Sequence, residues 1–153
     1  HIVSLRDLTM EKLRQIVGRV VNLERRLPVT LVEGPDVTIH ADPDQIEQLL
    51  INLLKNAVDA AINSSGGVGI RWARSGGLVE ILVEDEGPGL AQTANLFVPF
   101  FTTKPGGSGI GLVLGRQIAE AHGGTLALEN RVDRIGCVAR LRLPTVEPVW
   151  PVA

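Results

Sequence analysis

Residues 42–61 describe a helix with a marked start and an unbroken apolar face, and such a face has to be covered by a second layer. Asp42 is a good N-cap, Pro43 suits the first helical position, and Gln45 supplies the third-position amide of a capping box. From there Ile46, Leu49, Leu50, Leu53, Leu54, Ala57, Val58 and Ala61 recur at helical spacing, until Asn63-Ser64-Ser65-Gly66-Gly67 ends the element. The covering layer can be read on either side. Residues 68–74 and 78–85 flank Ser75-Gly76-Gly77 and predict a β-hairpin. Ile110, Val113, Leu114, Ile118 and Ala121 predict a second helix stopped by Gly123-Gly124. Residues 125–130 and 135–143 predict a closing hairpin, with Ile135, Cys137, Ala139, Leu141 and Leu143 on one face and Arg140 and Arg142 pointing out. Upstream, residues 5–23 place Leu5, Leu8, Leu13, Ile16, Val17, Val20 and Val21 near helical spacing, and 28–34 and 37–41 predict short strands around Gly34-Pro35-Asp36. This order predicts a two-layer α/β (α+β) sandwich, with helices on one face of a mixed sheet.

A length of 153 residues fits one domain, with a core over about 5–143 and a proline-containing tail over 144–153. Hydrophobic residues at 44% and charged residues at 21% place the chain among globular proteins. The net charge of −2 lacks the basic excess expected of a nucleic-acid or anionic-membrane binder. With no tyrosine and all three phenylalanines inside 97–101, there is no aromatic platform along which bases could stack. The single cysteine, Cys137, excludes an internal disulfide or a thiolate zinc cluster. No apolar run reaches the ~18–20 residues of a membrane span, and the opening does not read as a signal peptide. The chain begins at His1 rather than Met, so it is expected to be a piece of a longer protein.

Three stretches carry chemistry. Opposite the apolar face of the 42–61 helix, Gln48, Asn52, Lys55, Asn56, Asp59 and Asn63 form a polar stripe. A solvated face would look the same. Yet asparagine is a mediocre helix-interior residue, and a carboxamide oxygen is a neutral hard ligand suited to Mg²⁺. In the second stretch Val79, Ile81, Val83 and Asp85 alternate onto one face, so the Asp85 carboxylate belongs to the apolar side of its sheet and needs donors. Neighbouring backbone N–H groups could serve. So could the exocyclic amine of a flat heterocycle, since Asp85 leads directly into Glu86-Gly87-Pro88-Gly89. Nine of the 17 glycines lie between Gly87 and Gly124, where backbone must bend sharply or approach a ligand closely. Third, Gly106-Gly107-Ser108-Gly109-Ile110-Gly111-Leu112 opens a helix, and helix N-termini with free N–H groups bind phosphate; a flexible linker would also be glycine-rich. There is no G-x-x-x-x-G-K-[ST] motif, and Gly109-Ile110-Gly111 follows no strand, which removes the P-loop and the dinucleotide fold.

Four segments in order resemble the N, G1, F and G2 boxes of sensor histidine kinases. They are Asn52-Leu53-Leu54-Lys55-Asn56-Ala57, then Asp85-x-Gly87-x-Gly89, then Phe97-Val98-Pro99-Phe100-Phe101-Thr102-Thr103-Lys104, then Gly107-Ser108-Gly109-Ile110-Gly111-Leu112. Ile118-Ala119-Glu120-Ala121-His122-Gly123-Gly124 is similar to the same family, and the likeness runs from about Leu5 to Leu143. It implies a Bergerat-type (GHKL) sandwich that holds Mg²⁺ and ATP beneath a lid over 91–108. By that resemblance Asp85 accepts from the adenine amine, Gly89 backs the ring and Asn56 holds Mg²⁺. Asn52 joins the phosphate-side network, and Gly107, Gly109 and Gly111 cradle the phosphates. Lys104 meets the terminal phosphates or stands as an exposed lid lysine, and Phe97, Phe100 and Phe101 pack the lid. Gly87, Asp59, Thr103 and Leu112 complete the nucleotide-binding set. The 90–96 connection is short and uncharged where relatives often have a charged helical turn.

The expectation is therefore the catalytic domain of a cytoplasmic kinase. Its parent would pass the γ-phosphoryl of ATP to a histidine on an upstream dimerisation hairpin, with a response regulator downstream. His1, His40 and His122 are expected to have structural or incidental roles. Two alternatives remain: a clamp-type ATPase of the same fold, and a silent nucleotide-binding scaffold. The clamp enzymes resemble a pattern with a glutamate base where this chain has Asn52.

Overall fold

The computed structural model describes residues 4–64, 66–88, 110–132 and 134–146. The 42–61 helix is present as α2, Pro43–Ala61, and it lies at the centre of the helical layer. Asp42 caps it by accepting from the Asp44 N–H at 3.0 Å and the Gln45 N–H at 3.4 Å. The return arm of the predicted capping box is not made. Gln45 Oε1 has no hydrogen-bond partner among the described residues, and the Asp42 N–H instead donates to His122 Nε2 at 3.0 Å. A side chain brought in from elsewhere in the fold has taken the place of the local one.

All eight predicted apolar positions of α2 are buried. They meet a five-stranded sheet of order β2-β4-β5-β7-β6, formed by β2 Val29–Val32, β4 Val68–Ser75, β5 Leu78–Asp85, β6 Thr125–Asn130 and β7 Cys137–Pro144. Both predicted hairpins form, β4 with β5 and β6 with β7; only β2 runs parallel to its neighbour. Helices α1, Met10–Leu23, and α3, Ile110–Ala121, flank α2 and complete the layer expected over the sheet. Gly123 ends α3 with φ +74, a conformation that side-chain-bearing residues avoid.

The opposite face of the sheet is mostly polar, although Val138 and Leu82 also lie on it. Leu82 points outward yet is only 2% exposed, because it sits in register between Arg71 of β4 and Arg140 of β7. Their aliphatic stems cover it, while Arg140 and Arg142 reach Glu80 at 3.3 Å and 2.7 Å and Arg71 pairs with Glu84.

Local pattern misplaced the start of two elements. Residues 5–9 are not the start of α1: Arg6–Leu8 is a strand, β1, paired antiparallel with β3, Ile39–Ala41. Leu8 fits helical and strand periodicity alike, and tertiary pairing decided between them. The strands expected within 28–34 and 37–41 both form, in different sheets: β2 joins β4 and β3 joins β1. Ile135 does not share the buried face of the last strand. It is 75% exposed in the bend before β7, which starts only at Cys137.

Candidate functional site

The C-terminal end of β5 delivers Asp85 to the helical side of the sheet, 3% exposed beneath the helices. Its alternation with Val79, Ile81 and Val83 places it there, as the sequence predicted. Asp85 Oδ1 accepts the Gly87 N–H at 2.9 Å, so the chain turns back over the carboxylate as soon as the strand ends. A Cβ built on Gly87 would lie 2.6 Å from the Ala60 carbonyl oxygen and 2.8 Å from its carbon. The turn is therefore pressed against the backbone of α2, and only glycine fits. Ala60 is one helical turn beyond Asn56 on the same side of α2, so the close packing brings the Asp85–Gly87 turn to the asparagine stripe.

On that stripe Asn52 and Asn56 are both half-buried. Asn52 Oδ1 accepts from Gln48 Nε2 at 2.9 Å along the helix. Asp59 pairs with Arg26 Nη1 at 2.6 Å, and Arg26 also bonds Glu24 through Nη2 at 3.1 Å. The bonds to Glu24, and then to Asp59, push the Arg26 pKa upward, while the bond from Arg26 holds the Glu24 carboxyl below its usual range. Arg26 and Glu24 lie in the connection between α1 and β2. Sequence reasoning did not single them out, because Arg26 and Asp59 are 33 positions apart and no local spacing links them.

Cys137 was also missed as a neighbour of the site. Each strand's alternation turned Asp85 and Cys137 toward the helices, but only the register shows that they are directly opposed across β5 and β7. The buried Cys137 thiol is pushed up to about 12, first by desolvation and then by the charge of Asp85.

Helix α3 runs antiparallel to α2. Its end at His122 touches Asp42 at the start of α2, and Gly115 packs on Leu49. At 1.5 Å per residue its first turn, with Gly111 and Leu112, falls at about the level of Leu53, between the two asparagines of the stripe. Leu112 is half-buried against the core. The structure thus gathers Asn52, Asn56, Asp85, Gly87, Gly111 and Leu112 around the C-terminal half of α2, with Asp59 on the side facing Arg26. Gly89, Thr103, Lys104, Gly107 and Gly109 lie outside the described residues, as do the expected lid over 91–108 and Phe97, Phe100 and Phe101.

A groove of about 480 Å³ lies at the other end of the α2–α3 pair, lined by Gln45, Gln48, Leu114, Gln117 and Ile118 among others, and it includes neither asparagine nor Asp85. Among the described residues no three His, Cys, Asp or Glu side chains cluster as a metal site. Any cation here would rest on neutral amide oxygens and on the ligand's own oxygens. The arrangement offers a buried acceptor on an apolar floor, amide oxygens beside it, and a helix N-terminus aimed at the same region.

Comparison with known proteins gives the family and the fold. Residues 41–147 match the family described as histidine kinase-, DNA gyrase B-, and HSP90-like ATPase. The sensor histidine kinase ZraS of Escherichia coli K12 is 41% identical over 108 residues, covering 69% of this chain and 23% of that protein. The chain thus spans about a quarter of the length of this curated relative. The solved catalytic domain of histidine kinase ThkA has 30% sequence identity, a TM-score of 0.75, and coverage of 92% of this chain and 95% of that one. ThkA solved in complex with response regulator protein TrrA superposes with a TM-score of 0.76 at 26% identity, over 94% of this chain and 42% of that one. A buried aspartate at a strand end, an asparagine-bearing helix packed on the glycine after it, and near-complete overlap with a kinase catalytic domain leave one conclusion: the chain belongs to the histidine kinase-, DNA gyrase B- and HSP90-like ATPase family, on its sensor histidine kinase branch.

Proposed function

We propose that this chain binds Mg-ATP and presents its γ-phosphoryl group to a histidine on a helical hairpin of a longer sensor kinase. The observation that carries the reading is the Asp85–Gly87 turn packed on α2 one turn from Asn56. Asp85 accepts from the adenine amine, with Gly87 and Gly89 leaving room for the flat ring. Asn52, Asn56 and Asp59 line the phosphate side, Leu112 packs beside the base, and the N–H groups at Gly107, Gly109 and Gly111 would donate to phosphate oxygens. Thr103 and Lys104 approach the terminal phosphates from the lid.

The donors present fit magnesium. A half-buried carboxamide gives one neutral oxygen, which suits an ion that takes most of its partners from phosphate and water. Asn56 would hold it, and the ion would neutralise charge on the β- and γ-phosphates. The protein's task is then positioning, since phosphoryl transfer asks for little covalent work. A nitrogen lone pair of the acceptor imidazole forms the P–N bond as the bond from the γ-phosphorus to the bridging oxygen breaks, and ADP leaves.

His40 lies on a strand and His122 is buried in a helix-to-helix bond, so neither is offered as an acceptor. The partners of the parent are its own upstream hairpin and, downstream, a response regulator, and the reaction takes place on the cytoplasmic side where ATP is found. No helix among the described residues is long and apolar enough to cross a membrane.

The experiment supplies the upstream hairpin as a separate chain with labelled ATP. The 153-residue chain alone should bind Mg-ATP without labelling itself or hydrolysing it appreciably. Where clamp ATPases keep a glutamate it has Asn52, and general-base help is worth about 10²–10⁴-fold. The added hairpin should become labelled on histidine with an acid-labile bond. Vigorous turnover by the chain alone would favour the clamp ATPase, and an unlabelled hairpin would favour a silent scaffold.

A further inference from the structure

His122 is 7% exposed and both of its ring nitrogens are engaged. The Ile118 carbonyl can only accept, so the 2.8 Å contact from Nδ1 places the proton there. That leaves Nε2 as an acceptor, and it takes the Asp42 N–H at 3.0 Å across 80 residues of sequence. Asp42 is the N-cap of α2, and its Oδ2 also accepts the Ser4 N–H at 3.0 Å. One buried node therefore joins the start of the asparagine-bearing helix, the end of the glycine-led helix, and the segment through which the chain enters β1.

The node lies at the opposite end of the α2–α3 pair from the nucleotide residues. Gly115 on Leu49 gives α3 a point of close approach to α2. Apolar packing on α2, β6 and β7 holds α3 but can slide and tilt, and the directional hydrogen bond at His122 adds a fixed tie at its end. From Gly115 to Gly111 is roughly 6 Å of helix, so a tilt of about 10° about the Gly115 contact, once the latch is lost, would carry Gly111 by roughly 1 Å.

We propose that His122 is a positioning residue for the nucleotide site: its bond to Asp42 sets the angle of α3 on α2, and thereby holds Gly111 and Leu112 opposite Asn52 and Asn56. Replacing the ring removes the tie without touching a group that meets nucleotide. The inference rests on the nucleotide reading above, and the test separates the two.

Mg-ADP binding by calorimetry and amide exchange over residues 110–117 are measured for the wild-type chain, His122→Ala, His122→Gln and Val17→Ala. Glutamine can place its carbonyl oxygen where Nε2 stands. Val17 is a buried α1 residue remote from the latch, and serves as a control for general destabilisation. His122→Ala should weaken Mg-ADP about tenfold, by loss of one buried hydrogen bond and the angle it sets, and should speed exchange across 110–117. His122→Gln should recover most of both, and Val17→Ala should change neither. Unchanged affinity and exchange in His122→Ala would overturn the proposal, as would an equal loss of affinity in Val17→Ala. If the wild-type chain fails to bind Mg-ADP, the nucleotide reading falls, and the exchange data alone decide whether His122 sets α3.

Discussion

The close approach of Gly87 to α2 makes the candidate site sensitive to a single methyl group. In Gly87→Ala the new Cβ would start 2.6 Å from the Ala60 carbonyl oxygen, 2.8 Å from its carbon and 3.0 Å from its Cβ. Two of these are backbone atoms in the last turn of α2, which cannot rotate away as a side chain can. Ordinary van der Waals contact begins near 3.4 Å, so α2 and the turn must separate by about 0.8 Å. Overpacking on this scale costs about 1–3 kcal/mol. At roughly 2–4 °C per kcal/mol for a chain of this size, the melting temperature should fall by about 2–12 °C. The same movement stretches the 2.9 Å bond from the Gly87 N–H to Asp85 and shifts the asparagine stripe, so Mg-ADP affinity should fall about 5–30-fold. Urea unfolding and calorimetric titration measure the two effects. Gly18→Ala in α1 is the internal comparison: a Cβ there meets nothing within 4 Å, and alanine in a helix interior should stabilise by about 0.5–1 kcal/mol. If Gly87→Ala unfolds at the wild-type midpoint, or gains stability as Gly18→Ala does, the packing of this turn on α2 is refuted.

Asp85→Asn should weaken adenine-nucleotide binding by about 1–3 kcal/mol, through loss of a charged acceptor for the amine; unchanged affinity would reduce Asp85 to a strand-end residue. Asn56→Ala should abolish the magnesium dependence of ATP binding more than it lowers affinity in chelator, whereas equal losses would assign Asn56 to packing. The Cys137 thiol, pushed up to about 12, should resist alkylation at pH 8 until the protein unfolds, and rapid labelling of the native chain would contradict its burial beside Asp85. Glu80 is held below its ordinary range first by its bond with Arg142, and Asp42 first by the Ser4 N–H. Carboxylates depressed in this way add stability that is fully present above their unfolded value of about 4 and is lost as pH falls through the folded pKa. Urea midpoints should therefore drop below about pH 4, less steeply in Glu80→Gln than in wild type, and parallel curves would exclude Glu80 as a contributor.

What was legible in the sequence was written in local spacing. The Asp42 cap, the apolar face from Ile46 to Ala61, both hairpins and the Gly123 stop each depend on residues a few positions apart, and each appears in the structure. The placement of Asp85 on the helical side follows from strand alternation alone. Where local signals tied or were absent, only the tertiary structure decided. Leu8 satisfied two periodicities, and pairing of Arg6–Leu8 with Ile39–Ala41 made it a strand residue. Gln45 could have closed the capping box, but a buried imidazole from position 122 took the N–H. Arg26 with Asp59, and Asp85 opposite Cys137, are pairings over tens of residues. Periodicity tells which side of an element is apolar, because that depends on the element's own geometry. Which neighbour it meets depends on how whole layers stack and on which strand edges find each other, and that is settled only when the chain has closed on itself.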